Sequence, residues 1–273
     1  MPSKTVRIAG QSLRGRLLVI AGPCVIEGRD MVLRIAQKLK KGLARLDVLF
    51  VFKASYDKAN RSSIKSYRGV GLDEGLKILE EVKREVGVPV LTDVHSPEEA
   101  AVVGPIIDIL QVPAFLCRQT DLVTAAAKAG RAVNIKKAQF LAPWDMANVV
   151  EKAKQTGAKN ILVTERGTSF GYNNLVSDMR SIPIMREFGY PVIYDATHSV
   201  QLPGGLGSAS GGQREMAIPL ARAAVAAGCD GLFLETHEHP EKALSDASSM
   251  LPLGAVKELV QDALAIKRAL GKR

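Results

Sequence analysis

Short, nearly continuous runs of Val, Ile, Leu and Phe recur along the whole chain. A continuous apolar run, unlike an alternating one, is typical of a strand that is buried on both faces, as in a parallel sheet. Eight such runs occur, at 17–23, 48–54, 89–94, 107–112, 132–137, 160–166, 191–197 and 231–236. The pattern therefore predicts eight parallel strands.

The segments between these runs carry apolar residues at helical spacing. After the first run, the residues on one helical face are Val32, Ile35, Ala36, Leu39 and Leu43. Similar series begin at Leu72, where the pattern continues to Val86, and at Val256. We therefore expect a helix after each strand, with room for only a short helix at 97–103.

Strands and helices that alternate eight times over 273 residues predict a (β/α)8 barrel, the TIM-barrel fold of the α/β class. The alternative is an open, doubly wound sheet. It is less favoured because the chain lacks the G-x-G-x-x-G and G-x-x-x-x-G-K-[ST] patterns. The stretch 5–16, with Gly10-Gln11 at its centre, is expected to form a β-hairpin that caps the barrel bottom. No linker is visible, so residues 1–273 are expected to form one domain.

Composition and charge narrow the functional classes. Hydrophobic residues make up 47% of the chain and charged residues 24%, and no apolar run approaches the roughly 20 residues of a membrane span. The chain begins without an apolar signal core and has three cysteines, so we expect a cytoplasmic protein without disulfides. The net charge of +9 suits acidic partners, but no basic arm or zinc-finger spacing indicates nucleic acid.

Every predicted strand ends in a residue capable of chemistry. In a (β/α)8 barrel the active site is built from the carboxyl ends of the strands. In chain order these ends carry Cys24, Lys53, Asp93 with His95, Gln111, Lys136 with Lys137, Arg166, Asp195 with His198, and Glu235 with His237. One charged strand end is usually just solvated, but eight in succession at one mouth indicate a functional site.

These candidates fall into two chemical groups. The cations suit phosphate or carboxylate groups and are Lys53, Lys58, Arg61, Lys136 and Arg166. The second group offers a thiolate, an imidazole and two carboxylates, which together suit a divalent transition-metal ion: Cys24, His198, Glu235 and Asp246. Taken alone, Cys24 is also compatible with a small buried hydrophobe, and His198 with a hydrogen-bonded loop residue.

Two loops have open interpretations. The polar run 57–63 is either a solvated loop or a phosphate cradle around Arg61. The Gly- and Ser-rich stretch 204–212 is either a mobile lid or a flexible connector.

Several of these segments match a known family. They are 21–24, 52–63, 110–116, 134–137, 166–167, 170–172 and 195–198. On these residues the chain closely resembles the 3-deoxy-D-manno-octulosonate 8-phosphate synthase family, almost from end to end. The resemblance implies a (β/α)8 homotetramer that condenses phosphoenolpyruvate with arabinose 5-phosphate and releases phosphate. The product leads to the Kdo sugar of lipopolysaccharide.

The resemblance also implies roles for individual residues. Phosphoenolpyruvate would be held by Lys53, Lys58, Lys136 and Arg166, with Gln111 and the backbone near Ala114 close by. The sugar phosphate would be held by Asn60, Arg61 and Ser62. In the family, Arg118 reaches in from a neighbouring subunit.

The family has metal-dependent and metal-independent branches, and the second carries Asn in place of Cys24. The cysteine here, with Ser245-Asp246-Ala247-Ser248, resembles the metal-dependent branch, which implies one divalent ion, Zn, Fe, Mn or Co, per subunit. Candidates for catalysis are Lys53, Asp93, His95, Lys136 and His198. Proton transfer by Asp93, His95 or a metal-bound water stays open.

Two other functions are compatible with the same residues. The first is the related heptulosonate synthase, a phosphoenolpyruvate-dependent aldol enzyme that uses erythrose 4-phosphate. The second is an anion-binding barrel without catalysis, which would need the cations but not the Cys/His/Glu/Asp set.

Overall fold

Eight parallel strands dominate the computed structural model, which describes residues 5–61, 63–205 and 210–271. We number them in chain order: β1 Leu17–Gly22, β2 Val48–Lys53, β3 Val90–Asp93, β4 Ile109–Val112, β5 Val133–Lys136, β6 Ile161–Glu165, β7 Val192–Asp195 and β8 Gly231–His237. Each one coincides with a predicted apolar run to within two residues at either end. The eight predicted strands are therefore confirmed.

Hydrogen bonding closes these strands into a ring. Each strand pairs in parallel with the next in chain order, and β8 pairs with both β7 and β1. At the seam between β8 and β1, Glu235 is in register with Gly22. The predicted TIM barrel is confirmed, and the carboxyl ends of β7, β8 and β1 are neighbours.

A helix follows each barrel strand in the described chain. The helices are α1 Arg29–Leu43, α2 Leu72–Glu81, α3 Pro97–Val103, α4 Thr120–Ala129, α5 Met146–Gln155, α6 Ser181–Arg186, α7 Ala217–Ala226 and α8 Ala255–Ala269. The short α3 has the predicted bounds, and Ser96 caps it by accepting a hydrogen bond from the Glu99 N–H. The predicted end of α2 differs, because Val82–Val86 widens into a π-helical turn that stops at Gly87.

Side-chain alternation along the strands builds two apolar layers. Leu18 and Ile20 of β1 belong to the cluster inside the barrel, whereas Leu17, Val19 and Ala21 belong to the cluster between the strands and the helices. Both sets are buried, which explains why the runs are continuous rather than alternating.

The predicted hairpin near the start of the chain is present. Arg7–Ile8 pairs antiparallel with Gln11–Ser12. The two residues between these strands, Ala9 and Gly10, both have positive φ angles (46° and 79°), as a tight two-residue hairpin requires, so the turn lies one residue earlier than predicted. Val6, Ile8 and Leu13 belong to the cluster inside the barrel.

Two expectations about the whole chain concern membranes and disulfides. Within the described ranges, no helix combines the length and apolar character that crossing a bilayer requires. Cys24, Cys117 and Cys229 are free and buried, as expected for a protein without disulfides.

The contact between β1 and β2 yields a prediction about stability. A Cβ atom added at Gly22 would lie 2.0 Å from the Lys53 carbonyl oxygen, so Gly22→Ala must push the two strands apart. We expect it to lower the free energy of unfolding by about 2 kcal/mol. Gly42→Ala in α1 is the control, because a Cβ there meets no atom within 4 Å and should stabilise the helix. Urea unfolding measures both, and equal stability of the two variants would contradict the packing argument.

Candidate active site

A cavity of about 480 Å³ opens at the carboxyl ends of the barrel strands. It brings together side chains from the ends of β2 to β8 and from the loops that follow them. The predicted site residues that line it are Lys53, Lys58, Asn60, Arg61, Asp93, His95, Gln111, Ala114, Lys136, Arg166, His198, Glu235 and Asp246. Residues far apart in the chain therefore face one chamber, as the barrel prediction required.

Several other described candidates do not line this cavity. Cys24 is 1% exposed and sits behind the cavity wall, against Asp246. Arg118 is exposed and does not line the cavity formed by this chain's described residues. Lys137 is fully buried, and its ammonium donates to the carbonyl oxygens of Ala138, Leu141 and Gly167. Ser62 lies outside the described residues, as do positions 206–209 of the Gly- and Ser-rich stretch.

Three of the predicted metal ligands converge. The ligand atoms of Cys24, Glu235 and Asp246 lie within 4.8 Å of one another. The Cys24 Sγ lies 2.9 Å from Oδ2 of Asp246. The fourth, His198, places its Nε2 3.5 Å from Oε2 of Glu235. The thiol and the two carboxylates thus converge on one point, and the imidazole adjoins this group through Glu235.

A carboxylate behind the imidazole fixes its orientation. His198 Nδ1 lies 2.8 Å from Oδ2 of Asp195, which leaves Nε2 on the side of Glu235. Metal-binding histidines commonly use such a second carboxylate to set their tautomer and direction. The sequence placed Asp195 at a strand end but gave it no role.

The electrostatics of this group fit a divalent cation. Burial, together with the charges of Asp246 and Glu235, raises the pKa of the Cys24 thiol well above its ordinary value. A cation among these groups would compensate the two carboxylates and favour the thiolate, since metal ligands bind deprotonated. The donor set therefore suits a borderline transition-metal ion.

Lysines connect this group to the cavity. Lys53 Nζ lies 2.6 Å from Oε1 of Glu235, and Lys58 Nζ lies 3.8 Å from the same oxygen. Burial alone would raise the pKa of Glu235, but His198, Lys53 and Lys58 outweigh it and hold the pKa below its ordinary value. Glu235 is accordingly an anion that both the lysines and a metal ion could share.

Lys136 approaches the site from the opposite arc of the barrel. Its Nζ lies 2.6 Å from Oδ2 of Asp195 and 3.8 Å from the centre of the Phe233 ring. Burial lowers the pKa of Lys136, and the nearby carboxylates only partly offset this. The aromatic face and Asp195 together hold this ammonium at the cavity wall.

The two arginines keep donors available. Arg166 donates through Nη2 to Oε1 of Gln201 (2.9 Å), while its buried Nη1 has no hydrogen-bond partner among the described atoms. Arg61 donates through Nη1 to Oγ of Ser245 (2.8 Å), and its buried Nε is likewise unpartnered there. Buried donors without acceptors are costly, so both sites favour an anionic ligand.

A chain of polar side chains crosses the barrel beneath the cavity. Gln111 donates to Asp93 (2.6 Å), Asn134 donates to Gln111 (2.8 Å) and Thr164 donates to Asn134 (2.7 Å). Ser55 also donates to Asp93. Asp93 and Gln111 are therefore held in fixed orientations.

Asp93 gives a prediction about acid stability. Burial would raise its pKa, but Lys58, Lys53 and Lys136 hold the pKa below its ordinary value. Ionised Asp93 therefore stabilises the fold above the unfolded-state pKa of about 3.9, and this contribution is lost as the pH falls through the folded-state pKa. Asp93→Asn should make the unfolding free energy less dependent on pH below about pH 4, measured by urea unfolding at several pH values. An unchanged slope would contradict the ionised state.

Sequence reasoning also missed Gln201 and Ser245. Gln201 follows β7 after a short loop and donates to Oδ1 of Asp246 (2.9 Å). Ser245 accepts from Arg61 and lies 3.0 Å from the Cys24 sulfur. The residue before Asp246 was visible as part of a motif, whereas no spacing in the sequence signals a glutamine three residues after His198.

Comparisons with known proteins agree with this geometry. The family model described as the DAHP synthetase I family matches residues 5–268. A protein of Syntrophobacter fumaroxidans named 2-dehydro-3-deoxyphosphooctonate aldolase is 61% identical over 262 residues, which is 96% of this chain and 91% of that protein.

Proteins with the same name occur in other bacteria. One from a Synechococcus strain is 59% identical over 256 residues, covering 94% of this chain and 90% of the relative. Another, from Acidithiobacillus ferrooxidans, is 60% identical over 249 residues, covering 91% and 89%. The chain therefore belongs to the DAHP synthetase I family and, within it, to the group of 2-dehydro-3-deoxyphosphooctonate aldolases.

Proposed function

We propose that the chain condenses phosphoenolpyruvate with D-arabinose 5-phosphate and water to give 3-deoxy-D-manno-octulosonate 8-phosphate and inorganic phosphate. The observation that carries this proposal is the 59–61% identity to relatives named 2-dehydro-3-deoxyphosphooctonate aldolase over nearly their whole length. The cavity supports it, because cationic side chains and three of the four proposed metal ligands face the same chamber, with Cys24 directly behind its wall.

Phosphoenolpyruvate is assigned to the buried cations. Lys53, Lys58, Lys136 and Arg166 would bind its phosphate and carboxylate, with Gln111 and the Ala114 backbone beside them. The unpartnered Arg166 Nη1 supports this assignment. Cations that are already oriented hold the substrate in place and screen its charge from a second anion.

The sugar phosphate is assigned to the loop after β2. Asn60 and Arg61 line the cavity, and Ser62 is proposed as the third member of this site. The buried, unpartnered Nε of Arg61 supports a phosphate position there. The aldehyde of arabinose 5-phosphate would then extend toward the cavity centre, where phosphoenolpyruvate binds.

We place the chain in the metal-dependent branch. Cys24, His198, Glu235 and Asp246 would hold one divalent ion, which we propose to be Zn, Fe, Mn or Co. When bound, such an ion supplies Lewis-acid polarisation of an oxygen. Asp195 would orient His198 toward the ion. Lys53, which pairs with Glu235, would balance the part of the Glu235 charge that the ion does not compensate.

The reaction forms one carbon–carbon bond and one carbon–oxygen bond, and it breaks one carbon–oxygen bond. C3 of phosphoenolpyruvate bonds to the aldehyde carbon, and the aldehyde oxygen gains a proton and becomes a hydroxyl. Water adds to C2 and loses a proton. The resulting tetrahedral centre expels phosphate by cleavage of the bond between C2 and the phosphate oxygen, and the proton of its hydroxyl passes to the phosphate as the ketone forms. Asp93 and His95, which line the cavity, are the proposed proton-transfer groups of the chain.

Three broader features are proposed with this assignment. The chain would form a homotetramer as a single barrel domain per subunit, with Arg118 completing a neighbour's site, and this role is compatible with its exposure here. It would act in the cytoplasm on the route to the Kdo sugar of lipopolysaccharide.

Phosphate release tests the proposal. We expect release with both substrates present and none with either alone, and a product of the octulosonate phosphate mass. Replacing arabinose 5-phosphate by erythrose 4-phosphate tests the heptulosonate alternative. Only the match to the family model supports that alternative, since the relatives reported above are all named 2-dehydro-3-deoxyphosphooctonate aldolase. Faster turnover with erythrose 4-phosphate would overturn the assignment.

A further inference from the structure

One neutral side chain lies between the proposed anion site and the proposed metal site. Gln201 is 8% exposed. Its Oε1 accepts from Nη2 of Arg166 at 2.9 Å, and its Nε2 donates to Oδ1 of Asp246 at 2.9 Å. Both functional ends of one amide are therefore used, each on a different part of the site.

The connection continues to the metal ligands themselves. The other carboxylate oxygen of Asp246 lies 2.9 Å from the Cys24 sulfur. A path of three short polar contacts thus leads from the Arg166 guanidinium to the thiol. Arg166 also keeps its Nη1 without a partner among the described atoms, so an anion can bind it without breaking the contact to Gln201.

The backbone holds Gln201 at this position. Gln201–Leu202 pairs antiparallel with Gly211–Gly212, and the Gln201 N–H donates to the carbonyl oxygen of His198. Arg166 donates to the same His198 oxygen at 3.2 Å. Because the backbone of Gln201 is fixed, its side-chain amide cannot shift with Arg166 without changing its hydrogen bond to Asp246. The reverse also holds.

We propose that Gln201 is a positioning residue that couples anion binding at Arg166 to metal binding at Asp246. An anion that orders Arg166 orders the Gln201 amide, which then holds the Asp246 carboxylate in the geometry for the ion. Ordering that one ligand has already achieved need not be repeated for the second, so the two bind with positive cooperativity. The proposal rests on the proposed function for the identity of the anion, phosphoenolpyruvate.

Linkage makes this measurable without turnover. If phosphoenolpyruvate tightens metal binding, the metal must tighten phosphoenolpyruvate binding by the same factor. Coupling of this kind is typically about fivefold or more. Cd²⁺ titrated calorimetrically into the full, metal-stripped chain, with and without saturating phosphoenolpyruvate, gives that factor, and the reverse titration checks it.

Two substitutions remove the connection, and one serves as a matched control. Gln201→Met keeps the side-chain length but loses both hydrogen bonds, and Gln201→Ala guards against a folding defect peculiar to methionine. Gln139→Met is the control, because Gln139 lines the same cavity and is equally buried at 7% exposure, but has no hydrogen bond to Arg166 or Asp246 among the described contacts. Thermal unfolding of each variant confirms the fold.

We expect at least about fivefold coupling in the native chain and in Gln139→Met, and less than about twofold in both Gln201 variants. No coupling in the native chain, or full coupling in the Gln201 variants, would overturn the inference. If the native chain binds phosphoenolpyruvate cooperatively with Cd²⁺ but forms no octulosonate phosphate, the proposed function fails and the coupling stands.

Discussion

Removal of divalent ions should lower the rate of octulosonate phosphate formation by at least about a thousandfold, because a metal ion contributes several kcal/mol of charge stabilisation to such a reaction. Without it, one buried carboxylate, one half-buried carboxylate and a thiol of raised pKa face one another. Chelation followed by elemental analysis establishes the metal content, and the phosphate-release assay gives the rate. Adding back Zn²⁺, Fe²⁺, Mn²⁺ and Co²⁺ separately identifies which ions restore it.

Two of the three buried cysteines supply a matched pair of variants for this prediction. Cys24→Ala should lose the ion and the activity together, because its sulfur lies beside Asp246. Cys229→Ala also empties a buried site, but Cys229 starts the loop into β8 at the opposite end of the strand from Glu235 and should affect stability alone. Full activity in protein shown to be free of metal would refute the role of the ion.

The strands could be predicted because burial on both faces requires a continuous run of apolar residues, which is directly visible in the sequence. Leu17 to Ala21 must be apolar on one face toward the helices and on the other toward the barrel interior. The same topology then predicted that the ends of separate strands share one mouth, and the cavity places Lys53, Arg166 and Glu235 together.

Details that depend on hydrogen-bond direction could not be predicted in this way. The roles of Gln201 and Asp195 follow from which oxygen or nitrogen each contacts, and a linear pattern does not contain that information. Lys136 and Lys137 are adjacent in the sequence, yet one faces the cavity and the other donates to buried carbonyl oxygens, because successive side chains point to opposite sides of a strand. The wide turn at Val82–Val86 was missed because its apolar spacing fits a regular helix equally well.

The second large effect is expected from Arg61, in the loop after β2. Arg61→Ala should raise the KM for arabinose 5-phosphate by about a hundredfold, since a charge-assisted hydrogen bond to an anion contributes about 1.5–3 kcal/mol. The KM for phosphoenolpyruvate should change by less than about threefold, because three of its four proposed cations lie on other elements: Lys53 and Lys136 end β2 and β5, and Arg166 follows β6. Initial rates with each substrate varied in turn measure both constants.

Arg68→Ala is the control for loss of a positive charge from the same loop. Arg68 is 56% exposed in its side chain and pairs with Asp57 rather than facing the cavity, so its removal should leave both constants nearly unchanged. Arg61 also donates to Ser245, which touches the Cys24 sulfur, so metal content must be measured in Arg61→Ala to separate a lost phosphate contact from a disturbed metal site. Equal losses for the two substrates at full metal content would show that Arg61 does not distinguish between them, and the sugar phosphate would have to bind elsewhere in the cavity.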